Sequence, residues 1–253
     1  MALSNLTRAA AKALRKQRTP ATAILVAAGS ATRMGGIDKV MAELAGRPLL
    51  AHSMLAFQQC VQISGIIVVT RQALLDPVEE MARQYGIDKL LAVVPGGATR
   101  TESVQAGLAQ VPADSRLVAV HDAARPLVSQ HVIYAALQAA AETGAAAPAL
   151  PVKDTIKVAS GGVVVATPER AKLFAVQTPQ CFDRDLLSAA LAQPDGTWTD
   201  DCAALEQLGV RVRLTPGEER NFKVTTPLDL QLARLLAAEA QACNETIEKI
   251  ETE

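Results

Sequence analysis

The stretch Ala27-Ala28-Gly29-Ser30-Ala31-Thr32-Arg33-Met34-Gly35-Gly36-Ile37-Asp38-Lys39 follows directly on the apolar run Ala23-Ile24-Leu25-Val26. Gly29, Gly35 and Gly36 lack the side chains that would keep backbone N–H groups away from phosphate oxygens, and Arg33 and Lys39 add fixed positive charge. That combination suits a triphosphate. The dinucleotide fingerprint G-x-G-x-x-G is absent, and the P-loop pattern fails because Gly35 is not followed by Lys-Ser or Lys-Thr. The same residues also fit an ordinary strand-to-helix turn with solvated basic side chains, so the meaning of the stretch depends on the rest of the chain.

Further polar clusters offer similar choices. Asp122 and Arg125 bracket Ala123-Ala124 before Pro126. A carboxylate there can accept from sugar hydroxyls or reach Mg²⁺, and an arginine can fork onto phosphate, or the two can form an ion pair that braces a turn. Gly96-Gly97 with Ser103 admits a nucleobase edge against bare backbone, or is a Gly-Gly turn before a helix. Thr199-Asp200 precedes an apolar helix and reads as a site or as an N-cap. Arg170 and Lys172 read as solvated surface charges. Lys223 stands in an otherwise apolar segment, and a half-buried ammonium there needs a partner.

Alternating patterns supply the elements that must position these groups. Short apolar runs at Ala23–Ala27, Gly65–Thr70, Leu91–Val94, Leu117–His121 and Ala145–Val152 are interleaved with helical patterns. Those patterns lie at Pro48–Gln59, Asp76–Tyr85, Thr101–Val111 and Ser129–Thr143. This is the βαβ rhythm of a mainly parallel sheet flanked by helices. The rhythm breaks over about 153–180, where Gly161-Gly162 between Thr155–Val158 and Val163–Ala166 predicts a projecting β-hairpin. Helices at about Asp183–Ala192 and Thr199–Leu208, strands at Val210–Thr215 and Phe222–Val224, and a helix from Pro227 to about Ala242 complete the pattern. In such sheets ligands gather beyond the C-terminal strand ends, where the polar clusters fall.

Composition narrows the function classes. The 253 residues are 49% hydrophobic and carry a formal net charge of −1, which argues against a general nucleic-acid or membrane-surface binder. No apolar run reaches the roughly 18 residues that a membrane-spanning helix needs. Cys60, Cys181, Cys202 and Cys243 form no C-x-x-C pair, and His52, His121 and His131 have no ligand spacing, so no protein-bound metal site is expected. Reduced thiols and the lack of a secretory h-region point to a cytoplasmic protein. Residues 1–20 hold Arg8, Lys12, Arg15, Lys16 and Arg18 with no acid, and read as a basic extension or transit peptide outside the fold.

Taken in order, Ala27–Met34, Gly96-Gly97 with Arg100 and Ser103-Val104, His121–Pro126, Pro151–Thr155, Gln177-Thr178-Pro179-Gln180, Thr199-Asp200 and Lys223-Val224-Thr225 resemble one family. It is the 2-C-methyl-D-erythritol 4-phosphate cytidylyltransferases of non-mevalonate isoprenoid biosynthesis. The resemblance implies an α/β, Rossmann-like nucleotidyltransferase fold with a projecting β-arm. It divides the chain into a basic extension 1–20, a single domain 21–242 with its arm at about 153–180, and a tail 243–253. It implies in-line attack of the substrate phosphate on the α-phosphorus of CTP, with Mg²⁺ bridging CTP oxygens. By the same resemblance Arg33, Lys39 and Lys223 stabilise charge during transfer. Ala27, Ala28, Gly29, Ser30, Gly96, Gly97, Ser103 and Asp122 hold CTP. Asp122, Arg125, Thr155, Arg170, Thr178, Thr199 and Lys223 hold the polyol phosphate, Arg170 reaching a neighbouring subunit in a homodimer joined by the arms. A cytidylyltransferase for another polyol phosphate, such as ribitol 5-phosphate, and a non-catalytic nucleotide-binding module are the alternatives. Asp38 and Val40 flank Lys39 where Pro and Gln are frequent in the family.

Overall fold

The computed structural model describes residues 20–29, 40–193, 198 and 200–251, with backbone alone for 240–251. Residues 1–19 of the basic extension, residues 30–39 and Thr199 lie outside the described residues. In chain order the elements are β1 (Ala21–Val26), β2 (Glu43–Leu44), β3 (Arg47–Pro48), α1 (Leu49–Gln59), β4 (Ile63–Thr70), α2 (Leu75–Gln84), β5 (Leu90–Pro95) and α3 (Arg100–Leu108). There follow β6 (Leu117–Asp122), α4 (Gln130–Thr143), β7 (Ala145–Pro151), β8 (Val158–Ser160), β9 (Val163–Ala166), β10 (Phe174–Val176), β11 (Gln180–Asp183), α5 (Arg184–Leu191), α6 (Asp201–Gln207), β12 (Arg213–Pro216) and α7 (Pro227–Glu251).

The main sheet runs β10-β7-β11-β6-β1-β4-β5, and β12 also pairs with β7. β1, β4, β5 and β6 are parallel, with Val26 opposite both Val69 and Asp122, and Thr70 opposite Pro95. Their C-terminal ends therefore share one edge. β11 is antiparallel to both β6 and β7. It enters the sheet from that same edge, bringing Thr178 and Gln180 beside the end of β6.

Strand alternation divides the core between the two faces. Ala21, Ala23 and Leu25 pack with Met54 and Phe57 of α1 and with Ile133 and Leu137 of α4. Ile24, Ile67 and Val120 pack on the other face with Val104 of α3, Leu187 of α5 and Leu205 of α6. A third cluster joins Leu44 and Leu49 to Val224, Leu230 and Ala233, seating α7 beside the β2–β3 ribbon.

Three sequence expectations are corrected. Phe222–Val224 is not a strand: Val224 is fully buried, but it packs beneath α7 rather than joining the sheet. Part of the 153–180 segment belongs to the main sheet, since β10 pairs with β7; within the segment only β8 and β9 form a separate two-stranded sheet. Gly161 and Gly162 close that hairpin with φ of 57° and 80°, which side-chain-bearing residues adopt at a cost. The closing helix continues to Glu251, beyond the expected end at Ala242.

Candidate active site

The first wall of the site is made where the chain leaves β5. Gly96 N–H donates to the Thr70 carbonyl at 2.8 Å, continuing the strand register by one residue. The chain then turns into α3 through a capping box in which the Thr99 side chain accepts from Glu102 N–H and the Glu102 carboxylate accepts from Thr99 N–H. Glu102 also accepts from Ala98 N–H at 2.6 Å, and Ser103 Oγ accepts from Gly97 N–H at 3.2 Å while donating to the Thr99 carbonyl. Ser103 is thus an interior residue of the first helical turn rather than its cap. A Cβ on Gly96 would come within 2.4 Å of the Ala28 Cβ and 2.8 Å of Ser103 Oγ, so only glycine lets the two loops meet. Gly96→Ala is expected to destabilise the fold by the roughly 1–3 kcal/mol that overpacking costs. Urea denaturation checks this, and an unchanged midpoint refutes it.

The second wall is the end of β6. Ala123 N–H donates to the Val26 carbonyl, Arg125 N–H to the Asp122 carbonyl, and Val224 N–H to the Ala124 carbonyl. The last of these, with the burial of Val224, fixes the backbone of Lys223; a fully buried valine is worth about 1.5–3 kcal/mol. Lys223 Nζ then lies 2.8 Å from Asp122 Oδ2, with Arg100 Nε at 3.6 Å from Oδ1 and Arg125 Nε at 4.0 Å from Oδ2. Desolvation alone would raise the Asp122 pKa, but Lys223, Arg100 and Arg125 outweigh it and hold the carboxyl at about 2. The partner that Lys223 needs is therefore Asp122.

Arg100 ties the two walls together. Its Nη1 is 2.8 Å from Oδ2 of Asp201, which is buried at the start of α6. Burial raises the Asp201 pKa, while Arg100 pulls it down. A cation in the first turn of a helix opposes the helix dipole, so its presence there signals carboxylate partners elsewhere. That is the sign the sequence carries for Arg100; Asp201, hidden behind the Asp200 cap, carries none. Asp200 does cap α6, its side chain accepting from Ala203 N–H.

The segment Gln177–Gln180 fastens the edge from behind. Gln177 Nε2 donates to the Glu218 carbonyl, while its Oε1 accepts from Glu218 N–H and Asn221 Nδ2. Gln180 donates to Asp200 Oδ2 and accepts from the N–H groups of Asp201 and Cys202. Arg125 Nη1 donates to the Asn221 carbonyl at 2.7 Å.

Between the walls is a cavity of about 390 Å³, lined among the described residues by Ala27, Ala28, Gly29, Gly97, Ser103, Arg100, Asp122 and Lys223, together with Val26, Val40, Ala98, Thr99 and Ala124. That size falls within the range of small-ligand pockets. A model of the 2-C-methyl-D-erythritol 4-phosphate cytidylyltransferase family matches residues 21–239. The chain belongs to this family.

Cytidylyltransferases of this name from Symbiobacterium thermophilum and Dehalococcoides mccartyi are 44% and 40% identical to the chain. The alignments cover 89% of this chain and 97% of the first relative, and 85% and 94% for the second. The structure of 4-diphosphocytidyl-2C-methyl-D-erythritol synthase from Anaerococcus prevotii superposes with a TM-score of 0.77 at 30% identity, covering 86% of this chain and 96% of that one. The cytidylyltransferase from Thermus thermophilus gives 0.71 at 33% identity, covering 85% and 98%. The mainly parallel sheet flanked by helices is the cytidylyltransferase fold.

Against the residues expected from the sequence, Ala27, Ala28, Gly29, Gly97, Ser103, Asp122 and Lys223 line the cavity together. Gly96 packs behind the loop, and Arg125 and Thr178 stand behind Asp122. Thr155 and Arg170 are exposed in the segment between β7 and β10, where Arg170 Nη1 donates to the Lys153 carbonyl. Ser30, Arg33, Lys39 and Thr199 lie outside the described residues. The described cysteines Cys60, Cys181 and Cys202 are free and buried. No described helix is long and apolar enough to cross a membrane.

Proposed function

We propose that the chain transfers the cytidylyl group of CTP to 2-C-methyl-D-erythritol 4-phosphate, and that the cavity at the sheet edge is the CTP half of the site. An oxygen of the substrate phosphate attacks the α-phosphorus in line. The bond to the β-phosphate breaks, pyrophosphate leaves, and 4-diphosphocytidyl-2-C-methyl-D-erythritol remains. The observation that carries this reading is Asp122 held among Lys223, Arg100 and Arg125 at the rim of a glycine-walled cavity.

Such a transfer needs positioning and charge stabilisation rather than a nucleophile on the protein. Backbone N–H groups and Ser103 frame cytosine and ribose, Asp122 accepts from a sugar hydroxyl, and Lys223 meets the phosphate that attacks or is attacked. Arg33 and Lys39 supply the remaining charge at the α-phosphate and the leaving pyrophosphate.

Mg²⁺ neutralises and orients the triphosphate when bound. The described residues contain no group of three or more His, Cys, Asp or Glu placed to hold a metal ion, and Asp122 is the one carboxylate on the described cavity wall. That donor set fits an ion carried by nucleotide oxygens, with Asp122 adding at most one ligand. The exposed Val163, Val164 and Val165 of β9 support an arm-mediated homodimer in which Arg170 reaches the neighbouring site. The sequence context supports a cytoplasmic location.

Purified protein is expected to release pyrophosphate from CTP with Mg²⁺ and 2-C-methyl-D-erythritol 4-phosphate. An equal or faster rate with ribitol 5-phosphate overturns the substrate assignment.

A further inference from the structure

We infer that His121 is a positioning residue whose neutral ring, protonated at Nε2, fixes Asp122 through Thr178 and fixes the Arg125 turn through its backbone carbonyl. With the ring neutral in its full burial, the hydrogen bonds leave one arrangement. His121 Nε2 lies 3.1 Å from the Arg125 carbonyl oxygen, which can only accept, so Nε2 carries the proton. A neutral ring then offers a lone pair at Nδ1. Thr178 Oγ1, 3.0 Å away, donates its single proton there and accepts the Asp122 N–H at 3.1 Å. Donors and acceptors match one to one from Asp122 N–H through Thr178 and the imidazole to the Arg125 carbonyl.

The ring has no room to turn away from this duty. It is fully buried, and its centroid lies 5.0 Å from that of Phe57 with the planes inclined at 55°. Burial lowers its pKa to about 4 against the opposing pull of Asp122, which keeps the ring neutral where the enzyme would be assayed.

The chemistry of Thr178 follows. Its only proton is committed inward, so it has none to give a substrate phosphate, whose oxygens need donors. Thr178 thereby moves from the substrate contact implied by family resemblance to a link between His121 and Asp122. The inference rests on Asp122 belonging to the active cavity.

Three measurements test it. In protein with ¹⁵N-labelled histidine at pH 7, His121 is expected to show a protonated Nε2 and an unprotonated Nδ1, and Thr178→Val is expected to speed hydrogen exchange at the Asp122 amide about tenfold or more. A protonated Nδ1, or an unchanged Asp122 amide, overturns the inference whether or not the protein is an active transferase. In the pyrophosphate assay His121→Phe and Thr178→Val are each expected to lower kcat/KM at least tenfold, and the double variant no more than the worse single one. His121→Asn, whose Oδ1 keeps an acceptor facing Thr178, is expected to recover most of the loss and serves in the cycle if the phenylalanine variant does not fold. Multiplying losses would show Thr178 acting on substrate independently and would overturn the inference. No pyrophosphate release by the wild type defeats the functional reading alone, because the NMR result then decides the role of His121.

Discussion

Lys223→Ala is expected to lower kcat/KM for cytidylyl transfer by about 10²–10³, the usual cost of removing one donor aimed at developing charge. The fold should tolerate the change. Lys223 is 39% exposed, and without it Asp122 still faces Arg100 at 3.6 Å and Arg125 at 4.0 Å, so no carboxylate is abandoned in the interior. Urea denaturation should move by less than about 1 kcal/mol, as for other half-exposed ion pairs. Lys223→Arg keeps the charge but replaces a compact ammonium with a planar fork, and should fall between the two. Steady-state pyrophosphate release decides the matter: a kcat/KM within threefold of wild type would show Lys223 to be a counter-ion for Asp122 and nothing more.

Arg100→Ala should act on stability before it acts on catalysis. The substitution strips Asp201, 2% exposed, of its guanidinium partner, and breaking a buried pair from one side costs about 3–5 kcal/mol. The sign with pH follows from Asp201. Burial already raises its folded pKa above the unfolded value, and losing Arg100 raises it further. A group shifted upward stabilises the fold below its unfolded pKa and loses that contribution as pH rises through its folded pKa. The deficit of Arg100→Ala should therefore be greatest near pH 7 and shrink on acidification, and Arg100→Ala combined with Asp201→Asn should recover part of it. Denaturation midpoints across pH test this; a variant within 0.5 kcal/mol of wild type at pH 7, by the ordinary scatter of surface substitutions, refutes it.

How far the sequence anticipated this structure depends on where each residue's conformation is decided. The parallel strands were legible because Ala23–Val26 and Leu117–His121 are continuous apolar runs buried on both faces, and the helices between them keep their period. β11 was not, since Gln180–Asp183 is short and polar at both ends, and becomes a strand only through partners at β6 and β7. Phe222–Val224 failed in the opposite direction: an apolar triplet looks like a strand whether its side chains enter a sheet or a helix-lined pocket. Within the site, Lys223 stood out because a charge in apolar company needs explaining, and Asp122 because it pairs with Arg125 across a strand end. His121 was readable as a polar residue at a strand end and Thr178 only through the family resemblance, but which way the hydroxyl proton points is fixed by a contact across 57 residues of chain.

The seating of Val224 beneath α7 has a consequence for the order in which the protein comes into being. β1, β4, β5 and β6 are all synthesised by Asp122, so that much of the sheet can collapse while the remainder is still being translated. Lys223, the described cation closest to Asp122, belongs to a stretch held by Val224 and by α7, which begins at Pro227. Until that helix docks, a nascent chain owns the Asp122 floor of the cavity and lacks Lys223, so a chain made only as far as β6 presents a cleft without its closing charge.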